Sequence, residues 1–162
     1  CDTDFVGTDG TLGGKYADGT ALAATIAASW GEGMDDRYVV LTGGEPMLQV
    51  DDALIDALHA EGFTIAIESN GTLAVPRSID WICISPKAGS ELVQTSGDEL
   101  KLVWPQPGSD VRRLAGLDFG HLLVQPLDDP NAADNVQACI DLVMADPRWR
   151  LSLQTHKSLG LR

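Results

Sequence analysis

Short apolar stretches that alternate with helical patterns constrain this chain most. Arg37–Thr42, Phe63–Glu68, Trp81–Ser85, Glu99–Trp104, His121–Gln125 and Arg150–Gln154 are brief and rich in β-branched or apolar residues, the mark of strands. Between several of them lie amphipathic patterns. Ala21–Trp30 places Leu22, Ile26 and Trp30 on one face, and Val50–Ala60 does so with Leu54, Ile55 and Leu58. Ala132–Ala145 repeats Val136, Cys139, Ile140, Val143 and Met144 at three- and four-residue steps, which predicts a helix with Cys139 on its buried face. Ser109 is an N-cap candidate for a short helix through Ala115, stopped by Gly116. Repeated β and α elements without a long hydrophilic linker predict an α/β fold, a parallel sheet wrapped by helices. Residues 1–162 carry no internal repeat or low-complexity tract and are expected to form a single domain.

Composition narrows the function. The 162 residues hold 11 Lys and Arg against 24 Asp and Glu, a formal net charge of -13, which argues against nucleic acid or an anionic membrane as partner and favours a small molecule. No apolar run approaches the ~18 residues that span a bilayer, and no signal-peptide layout is present. Cys1, Cys83 and Cys139 are too few and too scattered for a disulfide framework, so reduced thiols and a cytoplasmic location are expected.

The predicted strands share a feature at their carboxyl ends. Thr42, Glu68, Ser85, Gln125 and Gln154 are polar and lead into the loops GGEP, SNG, PKAG, PLDD and THK. In barrel-type α/β folds that edge binds ligands, although strands also simply end in polar residues. Other motifs carry less. Gly10–Lys15 resembles a phosphate loop but has Asp9 and Tyr16 where Gly and Ser or Thr are needed, and no GxGxxG occurs. Asn70-Gly71-Thr72 matches a glycosylation sequon, which has no meaning in the cytoplasm. His59 falls in a helix and His121 at a strand start; His156, beyond a strand's carboxyl end, is better placed for chemistry.

Thr42-Gly-Gly-Glu-Pro46 directly follows an apolar strand, leaving main-chain groups uncovered beside a carboxylate that can receive an amine. With CDTDF at the start of the chain, it resembles the radical S-adenosylmethionine (SAM) enzymes. In order along the sequence, CDTDF, TGGEPMLQ, AIESNGT, DWICISPK, ELKLV, LVQPLDD and LSLQTHK resemble the 7-carboxy-7-deazaguanine synthase family over nearly the whole chain. The resemblance implies part of a modified, TIM-like (β/α) barrel of the radical SAM type, without its first strand and most of the cluster loop. Cys1 matches the last of three cysteines that hold a 4Fe-4S cluster, so the sequence is expected to be a fragment of a longer chain.

By the same resemblance, the reduced cluster cleaves SAM. The resulting radical takes a hydrogen from 6-carboxy-5,6,7,8-tetrahydropterin, which rearranges and loses ammonia, a lyase step of queuosine biosynthesis and purine metabolism. Protein side chains are implied as binding groups, with none assigned as catalytic. Cofactor contacts fall to Asp2, Gly44, Glu45, Ser85, Pro86, Lys87, Gln125, Pro126, Leu127 and Asp128; pterin contacts fall to Thr42, Glu68, His156 and Arg162. Thr3 is implied to ligate a Mg²⁺ that also holds the substrate carboxylate. A homodimer and a reducing flavodoxin-type electron donor are implied as partners. Without the resemblance, Thr3 is a turn residue, Asp2 and Lys87 solvated charges, Glu68 a surface acid and Arg162 a frayed terminal charge. Another small radical SAM enzyme such as an activating enzyme, or a non-enzymatic α/β binding module, are the alternatives.

Overall fold

The computed structural model describes residues 13–160. Its strands are β1 (Tyr38–Leu41), β2 (Thr64–Ser69), β3 (Trp81–Ile84), β4 (Ser96–Trp104), β5 (Asp118–Pro126) and β6 (Trp149–Leu151), and they follow one another in the sheet in chain order. Its α-helices are α1 (Gly19–Trp30), α2 (Asp52–Ala60), α3 (Val111–Leu114), α4 (Ala132–Ala145) and α5 (Thr155–Ser158). The pairs β1–β2, β3–β4, β4–β5 and β5–β6 are all parallel, as strand-helix-strand connections require. None of the helices is long and apolar enough to cross a membrane, among the described residues.

Chain contacts divide the protein into two compact units, the first running to Ser69 and adding Ala74–Ile82, the second comprising Asn70–Leu73 and the chain from Cys83. In the first unit, Asp18 caps α1 and Asp51 caps α2, each accepting the N–H three residues on. Leu54, Ile55 and Leu58 of α2 are buried, as are Phe63, Ile65 and Ile67 around β2. Arg37, expected as a strand residue, is instead a buried tie. Its guanidinium donates to the carbonyls of Gly33 (3.0 Å) and Glu61 (2.7 Å) and lies 5.3 Å over the Phe63 ring. Trp30 meets the same ring edge-on at 6.0 Å but keeps 43% of its surface exposed. Asp80 accepts from the Ile65 N–H (2.7 Å) and pairs with His59 (3.0 Å). Burial pushes the Asp80 carboxyl up, but those two partners outweigh it and hold it below the usual carboxylate value.

The core of the second unit is Leu100, Leu102, Leu114, Ala115, Leu122, Val124, Cys139 and Trp149. Here α4 departs from its expected face. It packs through Asn135, Cys139, Leu142 and Val143, whereas Ile140 is exposed and Met144 is 80% exposed. Ile140 and Met144 sit one position past Cys139 and Val143, ~100° around the helix from each. Asp110, not Ser109, caps α3, because its carboxylate accepts the Arg113 N–H at 3.0 Å. β6 ends at Leu151, so Gln154 does not close a strand but precedes α5, and His121 lies inside β5 rather than at its start. Gly71 has φ +76°, and a Cβ there would lie 2.6 Å from Leu92 and 2.7 Å from Ile84, so no larger residue fits.

Candidate functional site

In the first unit, β1 delivers the chain into Thr42-Gly43-Gly44-Glu45. Thr42 and Gly44 are exposed, Gly43 has φ +122°, and a Cβ built on either glycine meets nothing within 4 Å. The main chain is therefore open to an approaching group. Glu45 is the N-cap of a 3-10 turn, Pro46–Leu48, whose first residue Pro46 needs no N–H partner. One Glu45 oxygen, Oε1, accepts both the Met47 N–H (3.0 Å) and the Ser69 hydroxyl (2.8 Å). Ser69, 2% exposed, ends β2. The carboxylate is thus aimed by a backbone turn and by the neighbouring strand, a fixed anion beside open glycines that suits an ammonium group. The register that pairs Leu41 with Ile67 brings Thr42 and Glu68 to the same edge of the β1–β2 pair, with Glu68 half-buried.

In the second unit, the loops after β3 and β5 carry the remaining candidates. Ser85 accepts from the Lys87 ammonium at 3.2 Å, and Pro86 between them is buried. Gln106, in the β4–α3 loop, holds this turn from behind. Its Oε1 accepts the Ala88 N–H (2.8 Å) and its Nε2 donates to the Pro86 carbonyl (3.2 Å). An open cleft of about 100 Å³ between the two loops is bordered by Lys87, Ser90, Ser109, Asp110 and Arg113. Gln125 and Pro126 end β5, paired in register with Val103 and Trp104. The Leu127 N–H then donates to the Trp104 carbonyl (2.8 Å), and the Leu127 carbonyl accepts from Asn135 Nδ2 (2.8 Å). Asp128 pairs with Lys157 of α5, the helix that also carries exposed His156.

The two described cysteines are core residues, as expected. Cys83 is buried in β3 with Sγ 3.3 Å from Glu99 Oε1. Cys139 is fully buried and faces the Trp104 carbonyl at 3.7 Å; burial pushes its thiol up to about 11 from 9.0. No group of three or more His, Cys, Asp or Glu residues suited to a metal occurs among the described residues. Cys1, Asp2, Thr3 and Arg162 lie outside those residues. Ser69, Gln106, Asn135 and Lys157 are the supporting residues that sequence reasoning missed. Ser69 stood inside the quoted AIESNGT stretch, whereas Gln106 and Asn135 carry no local signal at all.

No family model matches the chain. Among curated proteins, it is 62% identical over 162 residues to the 7-carboxy-7-deazaguanine synthase of Bradyrhizobium diazoefficiens, covering 100% of this chain and 77% of that one. It is 57% identical over 161 residues to the synthase of Caulobacter vibrioides, covering 99% and 77%. The chain belongs to the 7-carboxy-7-deazaguanine synthase family. Among solved structures, the crystal structure of QueE from Escherichia coli matches with TM-score 0.63 and 29% identity, over 84% of this chain and 63% of that one. The chain thus spans a little under two thirds of that relative's length. The expected fold class, a parallel α/β sheet forming part of the radical SAM architecture, agrees with this match. Family membership makes the chain an enzyme of small-molecule metabolism.

Proposed function

We propose that the protein is the radical SAM lyase that converts 6-carboxy-5,6,7,8-tetrahydropterin into 7-carboxy-7-deazaguanine with loss of ammonia, in queuosine biosynthesis. The observation that carries this reading is the 62% identity across every residue of the chain to a curated synthase. When bound, the 4Fe-4S cluster and SAM supply the radical chemistry. The chain's own residues bind and orient. Glu45, aimed by Ser69 and Met47, fits the ammonium of the SAM methionine, and the bare main chain at Gly44 fits its carboxylate end. Ser85, Pro86 and Lys87, with Gln125, Pro126, Leu127 and Asp128, fit the polar remainder of SAM in this reading, and Asp2 joins them.

On the pterin side, the Glu68 carboxylate would accept ring N–H donors, Thr42 and His156 would orient the ring, and Arg162 would pair with the substrate carboxylate. Cys1 would hold the cluster and Thr3 a Mg²⁺ beside that carboxylate, since hydroxyl and carboxylate oxygens suit a hard cation. This reading treats residues 1–162 as one radical SAM core domain in a cytoplasmic homodimer reduced by a flavodoxin-type donor.

The test uses the full-length protein, reconstituted anaerobically with iron and sulfide. Cys1→Ala is expected to lower iron content and abolish 5′-deoxyadenosine formation. Thr3→Val is expected to keep the iron while weakening both Mg²⁺ dependence and product formation. A Cys1→Ala protein that still cleaves SAM removes Cys1 from the ligand set, and a Thr3→Val protein with an unchanged Mg²⁺ titration removes Thr3 from the metal.

A further inference from the structure

Two loops of the second unit owe their shape to carboxamides that stand outside them. Gln106 takes hold of the peptide groups on either side of Lys87, accepting from the Ala88 N–H at 2.8 Å and donating to the Pro86 carbonyl at 3.2 Å. Only a side chain that donates and accepts at once satisfies both groups, and a primary amide is one. Asn135 does related work from α4. Its Nδ2 donates to the Leu127 carbonyl and to Asp129 Oδ1, both at 2.8 Å, while Asp129 Oδ1 also accepts the Asn131 N–H at 2.8 Å. With the Leu127 N–H already given to Trp104, both main-chain polar groups of Leu127 are tied down.

Core packing does not call for either amide. Asn135 is 5% exposed, on the helix face that also buries Cys139, a position where an apolar residue is the default and an amide costs stability unless its hydrogen bonds are made. Both side-chain partners of Asn135 lie in the loop after β5. Gln106 is half-buried beyond β4, and both of its partners lie in the loop after β3. Each amide thus spends its hydrogen bonds on a segment that the proposed function gives to SAM.

We infer that Gln106 and Asn135 are positioning residues, which fix the backbone of Pro86–Ala88 and of Leu127 so that these loops bind SAM; the inference rests on the SAM reading of the two loops. Neither residue need touch the cofactor. A loosened loop must be ordered when SAM binds, so the cost falls on SAM affinity, while chemistry in the filled site proceeds nearly as before.

The test is anaerobic titration calorimetry of SAM into the cluster-loaded, full-length protein, with steady-state kinetics on the same samples. Gln106→Glu and Asn135→Asp are near-isosteric but lose the N–H donors. Gln106→Met and Asn135→Ala remove the amides without adding charge and serve if the carboxylates hinder folding. Each variant is expected to weaken SAM binding about ten-fold, as loss of roughly 1.4 kcal/mol does, with kcat at saturating SAM within about two-fold and the pterin KM and iron content unchanged. Variants that bind SAM as the wild type does, or that lose kcat at saturating SAM instead, overturn the inference. Wild-type protein that fails to bind SAM overturns the functional reading, and the inference with it.

Discussion

The loop after β1 and the loops after β3 and β5 are held in different ways. In the first, the residue that fixes the loop is the candidate ligand itself, because the oxygen of Glu45 that caps the 3-10 turn also receives Ser69. In the other two, Gln106 and Asn135 fix loops whose candidate ligands are other residues. One arrangement fuses positioning with binding; the other separates them. A charged group can serve as its own anchor because its hydrogen bonds to N–H and O–H donors strengthen with the charge, whereas a loop that offers mainly backbone groups is held well by a neutral amide.

Substitutions can break this comparison. Glu45→Gln keeps the cap's shape and removes the charge, so SAM affinity is expected to fall by about 100-fold or more, read by calorimetry, with only a modest change in thermal midpoint. Ser69→Ala leaves the carboxylate but frees its aim, with an expected loss of about ten-fold in affinity and ~1 kcal/mol in stability. Equal effects from the two would mean that aim, not charge, dominates at Glu45.

Stability measurements sharpen the contrast further. Gly71→Ala forces a positive φ and a clash with Ile84 and Leu92, which should destabilise the protein by about 2 kcal/mol or more in denaturant melts. Cys83→Ala and Cys139→Ser should each cost roughly 1–3 kcal/mol without loss of iron, for lost packing or a buried hydroxyl; iron loss from a folded variant would make that thiol a cluster ligand. The Cys139 thiol titrates higher when folded, so its stabilisation is complete below pH 9.0 and is lost as pH rises toward about 11. The wild type should therefore lose up to about 3 kcal/mol relative to Cys139→Ala over that window. Asp80 in the first unit behaves oppositely. Its carboxyl titrates lower when folded, so its contribution is present above the unfolded value of 3.8 and is lost as pH falls further. Being 41% exposed, it is worth only about a few tenths of a kcal/mol, measured as the acid-side difference between wild type and Asp80→Asn.

The element order was legible because parallel sheets demand it: all six strands and the helices α1, α2 and α4 stand where periodicity places them, apart from their ends. What escaped was set by tertiary contact. Asp110 outcompeted Ser109 as a cap because its carboxylate reaches the Arg113 N–H. Met144 followed the helical pattern but fell past the edge of the packed face. Arg37, in an apolar stretch, was invisible as a buried tie because its carbonyl partners Gly33 and Glu61 become neighbours only on folding. At the site, GGEP and the strand-end loops announced themselves through glycine and residue order. Gln106 and Asn135 did not, because a glutamine in a loop and an asparagine on a helix are ordinary until their partners are known.

The most direct measurement of the central claim is product formation. Full-length protein with its cluster rebuilt, given SAM, Mg²⁺, a reductant and 6-carboxy-5,6,7,8-tetrahydropterin without oxygen, is expected to yield 7-carboxy-7-deazaguanine by liquid chromatography and mass spectrometry. The Glu45→Gln protein should yield almost none at the same SAM concentration. Wild-type protein that holds a full cluster and binds SAM, yet leaves the pterin unchanged, would contradict the account.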